Sequence, residues 1–143
     1  QGFQILIEAG MLPGYLARNK ELKFVCKQTT LSVSSGTSCE LIKSLDNSDK
    51  LHIPVAHNEG NFFADPETLD AIESNGQVVL RYGNEDKQNS GNPNGSLNDI
   101  AGICSSNGKI LGMMPHPERA MGAGHESADG KKLLQSIFEA IVT

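Results

Sequence analysis

At 143 residues, with 12 Lys plus Arg against 17 Asp plus Glu and a formal charge of -5, the chain has the size of one modest domain. Beyond the pair Lys131-Lys132 it has no basic block, which argues against a nucleic-acid groove or a membrane surface. No apolar run approaches transmembrane length, and no export signal is expected.

The chain opens on Gln1 and passes straight into Phe3 to Ala9, a helical pattern with no room for a preceding strand or cap. We therefore expect these residues to follow an upstream part of a longer protein. Gly10 and Pro13-Gly14 end the helix, with Met11-Leu12 packed beneath it. Leu22, Phe24 and Cys26 alternate as the inward side of a strand, Lys23 and Lys27 facing out, and Leu31 to Val33 continues it. After the turns at 34–38 and 46–49, Leu51 to His57 reads as a strand in which Pro54 argues for a sheet edge or a short pairing. Residues 57–63 form a polar loop ending in two aromatics. Asp65 to Glu73 is a small helix with Pro66 in its first turn and Leu69 and Ile72 inward.

Gln77 to Tyr82 is a β-branched and aromatic strand. The polar stretch from Gly83 to Asp99 reads either as a surface loop or as an ordered site loop. Ile100 to Cys104 and Lys109 to Met114 form a hairpin about Ser105 to Gly108. A last helix, capped by Ser127 or Asp129, carries Leu133, Leu134, Ile137, Phe138 and Ile141 as an apolar stripe toward the sheet. Strands with helices at both ends make an α/β pattern.

The chemistry centres on Gly112-Met113-Met114-Pro115-His116-Pro117-Glu118-Arg119. A short buried strand delivers His116 and Glu118 to its C-terminal end, and the flanking prolines stiffen the loop. A rigid imidazole with a nearby carboxylate is the base-and-orienter half of a nucleophilic triad, which still needs a nucleophile. Cys26, Cys39 and Cys104 are poor candidates: none sits in a glycine elbow, they form no CxxC pair, and they read as buried hydrophobes of a reducing compartment. The four histidines lack metal-ligand spacing, so no metal site is expected.

With these residues laid out, the chain resembles the triad-type, or class I, glutamine amidotransferases. The likeness rests on Gly2 to Leu6 with Gly10 to Gly14, Leu22 to Cys26, Ile53 to His57 with Glu59-Gly60, Asn92 to Ser96, Ile100 to Ile103 and Leu111 to Ala120. The Asn-Pro-Asn-Gly-Ser loop and the Ala-His-x-Glu-Gly segment favour the purine-biosynthetic branch. The resemblance implies an α/β, flavodoxin-like fold with antiparallel strand additions, of which residues 1–143 are the C-terminal portion of a single domain.

It also implies a nucleophilic cysteine one position before Gln1. His116 is then the proton carrier and Glu118 its orienter; the Gln1 amide is an oxyanion donor, Gly2 permits the elbow, and Gln4 holds the substrate glutamine. His57, Glu59, Asn94 and Ser96 are implied at the pocket or at a subunit interface, with ordinary loop and turn chemistry as the competing reading. The implied partners are glutamine, a large ATP-dependent synthetase subunit and a small adaptor, all cytoplasmic. ATP and magnesium belong to the synthetase, and no cofactor to this chain. The rival is an amidotransferase-like scaffold without a nucleophile.

Overall fold

The computed structural model describes residues 1–83 and 91–143, so residues 84–90 of the expected 83–99 loop lie outside the described residues. Helix α1 (Gly2–Glu8) leads through strand β1 (Tyr15–Ala17) to β2 (Val25–Val33) and β3 (Lys50–His57). Strand β4 (Asn61–Phe63), helix α2 (Pro66–Ser74) and strands β5 (Val78–Tyr82), β6 (Ile100–Cys104) and β7 (Leu111–Met113) follow, and α3 (Asp129–Val142) closes the chain. The main sheet has the order β3-β2-β5-β6-β7, and β1 pairs with β4 as a separate ribbon. Every pairing among the described strands is antiparallel, so the expected antiparallel additions make up the whole described sheet.

Two apolar cores lie against this sheet. One gathers Leu31, Ile42, Leu51, Ile53, Val55 and Tyr82 with Leu133 of α3; the other gathers Phe3, Leu12, Phe62, Ile72, Ile100 and Ile103. Strands β5 and β6 are therefore almost wholly buried and read as continuous apolar runs rather than alternating ones. Register irregularities around Leu80 let adjacent residues Val79 and Leu80 enter the same core.

Pro54 does lie on an edge strand, as its missing N–H requires. Helix α2 starts as expected: the Asp65 carboxylate accepts from the Thr68 N–H at 2.9 Å, with Pro66 in the first turn.

Four expectations need correction. In β2 the inward side is Thr29, Leu31 and Val33, whereas Cys26 is exposed and Leu22 and Phe24 project from the loop before the strand. Pairing with β3 sets this parity, because Thr29 faces Ile53 and Leu31 faces Leu51, and an error of one residue reverses every side chain. The polar loop 57–63 ends instead in β4, which pairs with the unforeseen β1. In α3 only Leu133 and Ile137 of the apolar stripe reach the core; Leu134, Phe138 and Ile141 stay exposed, because the contact with β3 and the turn at 40–42 covers a narrower face. The N-cap of this helix is Ala128, which offers no side-chain cap bond, rather than Ser127 or Asp129; Ser127 Oγ, one residue earlier, accepts the Asp129 N–H at 3.0 Å, and the Asp129 carboxylate accepts the His52 N–H at 2.8 Å.

Candidate functional site

His116 stands between two residues that lack an N–H, so its own amide is the only local donor, and that amide goes to the Pro54 carbonyl of β3 at 2.8 Å. A short 3-10 turn (Pro117–Arg119) closes on the His116 and Pro117 carbonyls, each at 3.0 Å. The first turn of α3 braces the loop from below, with Gly130 packed so closely that a β-carbon there would lie 1.9 Å from the Pro117 carbonyl oxygen. The loop is held by β3, its own turn and α3 together.

Within it, His116 Nδ1 lies 2.6 Å from Glu118 Oε1. Partial burial pushes the Glu118 carboxyl up, but hydrogen bonds from His116 and from its own backbone amide outweigh this and hold it below its ordinary value. Glu118 is thus a carboxylate at neutral pH and accepts a hydrogen bond from Nδ1–H, which leaves Nε2 free to take or give a proton.

Gly112 brings α1 to this loop. A β-carbon on Gly112 would lie 2.2 Å from the ring of Phe3, so the bare backbone of β7 is the floor on which Phe3 rests. The consequence is a cavity of about 570 Å³ lined by Gln1, Gly2 and Phe3 on one side and His116, Pro117 and Glu118 on the other. The Gln1 side chain makes no cap bond to α1, so the first-turn amides keep their donors. Gln4 is placed differently: its amide donates to Glu8 Oε1 at 3.0 Å along the helix surface. An uncapped helix start and a hydrogen-bonded His-Glu pair lining one apolar-floored cavity suit a reaction that builds negative charge on an oxygen.

His57, Asn94 and Ser96 form one neighbouring network, while Glu59 is exposed beside it. Asn94 Oδ1 accepts from the Ser96 N–H at 3.1 Å and faces the Ser96 hydroxyl at 2.7 Å. Its Nδ2 is therefore turned to Tyr82 Oη at 3.2 Å and His57 Nε2 at 3.0 Å. A ring nitrogen that faces an N–H must accept, so neutral His57 carries its proton on Nδ1, which is buried with no protein partner. Burial first, and the charge of His116 second, push the pKa of His57 down to about 4.

Buried Asn19 holds the same corner: its Nδ2 donates to the carbonyls of Lys23 at 2.7 Å and His57 at 2.8 Å, and its Oδ1 accepts from the Gly60 N–H at 3.1 Å. Sequence reasoning passes over Asn19, Tyr82, Gly112 and Gly130. Only Gly112 carries a local signal, since a glycine inside a strand marks close backbone approach. Cys39 and Cys104 lie in the core, and neither is among the residues lining the His116 cavity. Among the described residues no group of three or more His, Cys, Asp or Glu is arranged to hold a metal, and no helix is long and apolar enough to cross a membrane.

Residues 1–142 match the profile of the CobB/CobQ-like glutamine amidotransferase domain. The phosphoribosylformylglycinamidine synthase subunit PurQ of Trichormus variabilis is 50% identical over 141 residues, covering 99% of this chain and 60% of the relative. The corresponding subunit of Rhizobium meliloti is 49% identical over 140 residues, covering 98% of this chain and 60% of the relative. Among solved structures, PurLQS from Thermotoga maritima superposes with a TM-score of 0.79 at 36% identity, over 97% of this chain and 58% of that one. The chain thus spans about 60% of the length of the curated relatives it matches.

Proposed function

Because the chain belongs to the CobB/CobQ-like glutamine amidotransferase family and has the α/β fold of the class I members, we propose that it is the C-terminal portion of a glutaminase. That glutaminase serves phosphoribosylformylglycinamidine synthase, a cytoplasmic enzyme of purine biosynthesis. The observation that carries the reading is the cavity shared by Gln1 and Gly2 with the bonded pair His116 and Glu118. A cysteine immediately before Gln1 completes it.

In this reading the cysteine thiolate attacks the carboxamide carbon of glutamine, and the oxygen gains negative charge opposite the Gln1 amide and the first turn of α1. The C–N bond breaks as His116 Nε2–H gives its proton to the leaving ammonia, and a thioester remains. His116 Nε2 then takes a proton from water, which attacks the thioester; glutamate leaves and the thiol recovers its proton. Glu118 holds Nδ1–H and stabilises the imidazolium in both halves. Gln4, freed from Glu8, holds the substrate, whereas a β-carbon on Gly2 would meet no atom within 4 Å among the described residues, so the crowding expected at the elbow does not come from them. His57, Asn94 and Ser96 shape the wall beside the pocket, with Glu59 on its exposed rim.

The ammonia passes to a large synthetase subunit, with a small adaptor in the assembly, and ATP and magnesium act there. The PurQ names of the relatives and the PurLQS name of the solved structure support these partners. Incubating the complete protein with a glutamine-derived diazoketone and mapping its peptides tests the reading. Label on a cysteine bonded to Gln1 is the expected result. Another residue at that position, with no glutamate released in the presence of the synthetase, would leave the scaffold reading in its place.

A further inference from the structure

The loop that leads into β2 presents side chains that the described residues leave uncovered. Leu22 is 72% exposed and Phe24 is 61% exposed. Leu22 also sits at φ +56°, in the left-handed region where glycine is the ordinary choice. Its N–H donates to the Asn19 carbonyl at 2.8 Å, and Asn19 Nδ2 grips the Lys23 carbonyl, so the loop is fixed in this shape. A bulky apolar side chain held outward on strained backbone points to a contact beyond the described residues.

The charge around it is unlike that of the rest of the chain. Residues 18–27 contain Arg18, Lys20, Lys23 and Lys27, four of the chain's twelve basic residues, against Glu21 alone, in a protein of net charge -5. All four cations are exposed. Beside the loop lies a cleft of about 540 Å³ lined by Lys20, Glu21, Asn61, Phe63, Asn92 and Pro93, and the ring of Phe63 lies 5.1 Å from the exposed ring of Tyr15, tilted 42° to it. Apolar knobs next to a cleft, ringed by cations, fit a surface that is apolar at its centre and acidic at its rim. A polyanion would meet the repulsion of the whole acidic chain and leave Leu22 and Phe24 unburied.

We propose that the Lys20–Phe24 loop is the docking point for a protein partner offering an apolar socket rimmed by carboxylates. The proposal rests on the glutaminase reading above, in which that partner is the synthetase assembly. The loop is well placed for such docking, since the Lys20 N–H donates to the Asn94 carbonyl at 2.9 Å and Asn19 joins the loop to His57 and Gly60. The docked face therefore adjoins the network beside the pocket.

The test uses the complete protein with the purified synthetase and adaptor of the same organism. Leu22→Gly with Phe24→Ser removes the knobs, and glycine at Leu22 relieves the backbone, so thermal stability is retained. Lys20→Glu with Lys23→Glu reverses the rim. The expected result is assembly weakened roughly tenfold or more in each variant by calorimetry. Assembly should weaken with added salt in the wild type and lose that dependence in the charge-reversed variant, while ammonia-dependent amidine formation is unchanged. Wild-type affinity in both folded variants overturns the docking proposal and leaves the glutaminase reading standing. A lowered melting temperature of Leu22→Gly with Phe24→Ser at wild-type affinity overturns the docking proposal in favour of cover by the upstream part of the domain. Binding of duplex DNA or phosphatidylserine vesicles that Lys20→Glu with Lys23→Glu abolishes, with assembly untouched, overturns it too. A wild-type protein that neither assembles nor hydrolyses glutamine removes the glutaminase reading and the proposal with it.

Discussion

A histidine between two prolines has a single amide with which to fix itself, and here that amide is tied to β3 while the side chain is tied to Glu118. In the proposed mechanism the carboxylate makes His116 useful as a base by fixing which nitrogen carries the proton. Glu118→Gln keeps the size and loses the charge that stabilises imidazolium. We expect glutamate release to fall by about 10²–10⁴-fold in kcat with KM little changed, measured on the complete protein with its partner subunits. A change confined to KM would make Glu118 a binding group instead. His57 is predicted to act through stability. Its pKa is about 4 in the fold against an ordinary 6.5, so the unfolded chain takes up the proton first. The stabilisation is complete above pH 6.5 and declines as pH falls from there toward 4. The gap corresponds to about 3 kcal/mol undiscounted, and to roughly 1–2 kcal/mol after allowing for partial exposure and screening. Urea unfolding followed from neutral pH down to about pH 4 should show this slope, and His57→Gln should flatten it.

Among the elements, α1 meets β7 through one missing side chain. Gly112→Val drives its branched side chain into Phe3 and Leu12 and pushes α1 from the sheet. Overpacking of this kind costs about 1–3 kcal/mol. We expect a larger loss in glutamine turnover than in melting temperature, because Gln1 and Gly2 leave the cavity with the helix. Wild-type kinetics in a destabilised variant would show that α1 reaches the site by another support. Helix α2 and strands β5 and β6 are legible in the sequence because each carries a local signature: an Asp-Pro cap, or a β-branched run between turns. Strand β2 is not legible in its parity, because Leu22 and Phe24 look like core residues. Only the pairing of Leu31 with Leu51 shows which side is covered.

For the whole molecule, the proposed chemistry moves protons among thiol, imidazole and water, and the ATP-dependent step is proposed to lie on the synthetase. Metal removal therefore separates the two. EDTA added to the assembled enzyme should abolish amidine formation from glutamine or ammonia while glutamate release continues at a comparable rate; parallel loss of both would place a metal requirement on the glutaminase step. The fold closes its two cores on opposite sides of one antiparallel sheet and leaves the His116 cavity at the β7 edge beside α1.

Contiguous residues suffice to establish the His116-Glu118 pair, most of the helices and strands, and the family resemblance. Each is written in a motif or a local periodicity. It takes the folded chain to establish that Phe3 rests on Gly112, that Gly130 admits the Pro117 carbonyl, and that Asn94 sets the tautomer of His57. The same holds for Leu22 and Phe24, which face outward from the fold. Those outcomes depend on which surfaces meet across long stretches of chain, and an empty space or a shared proton leaves no mark in the neighbouring letters.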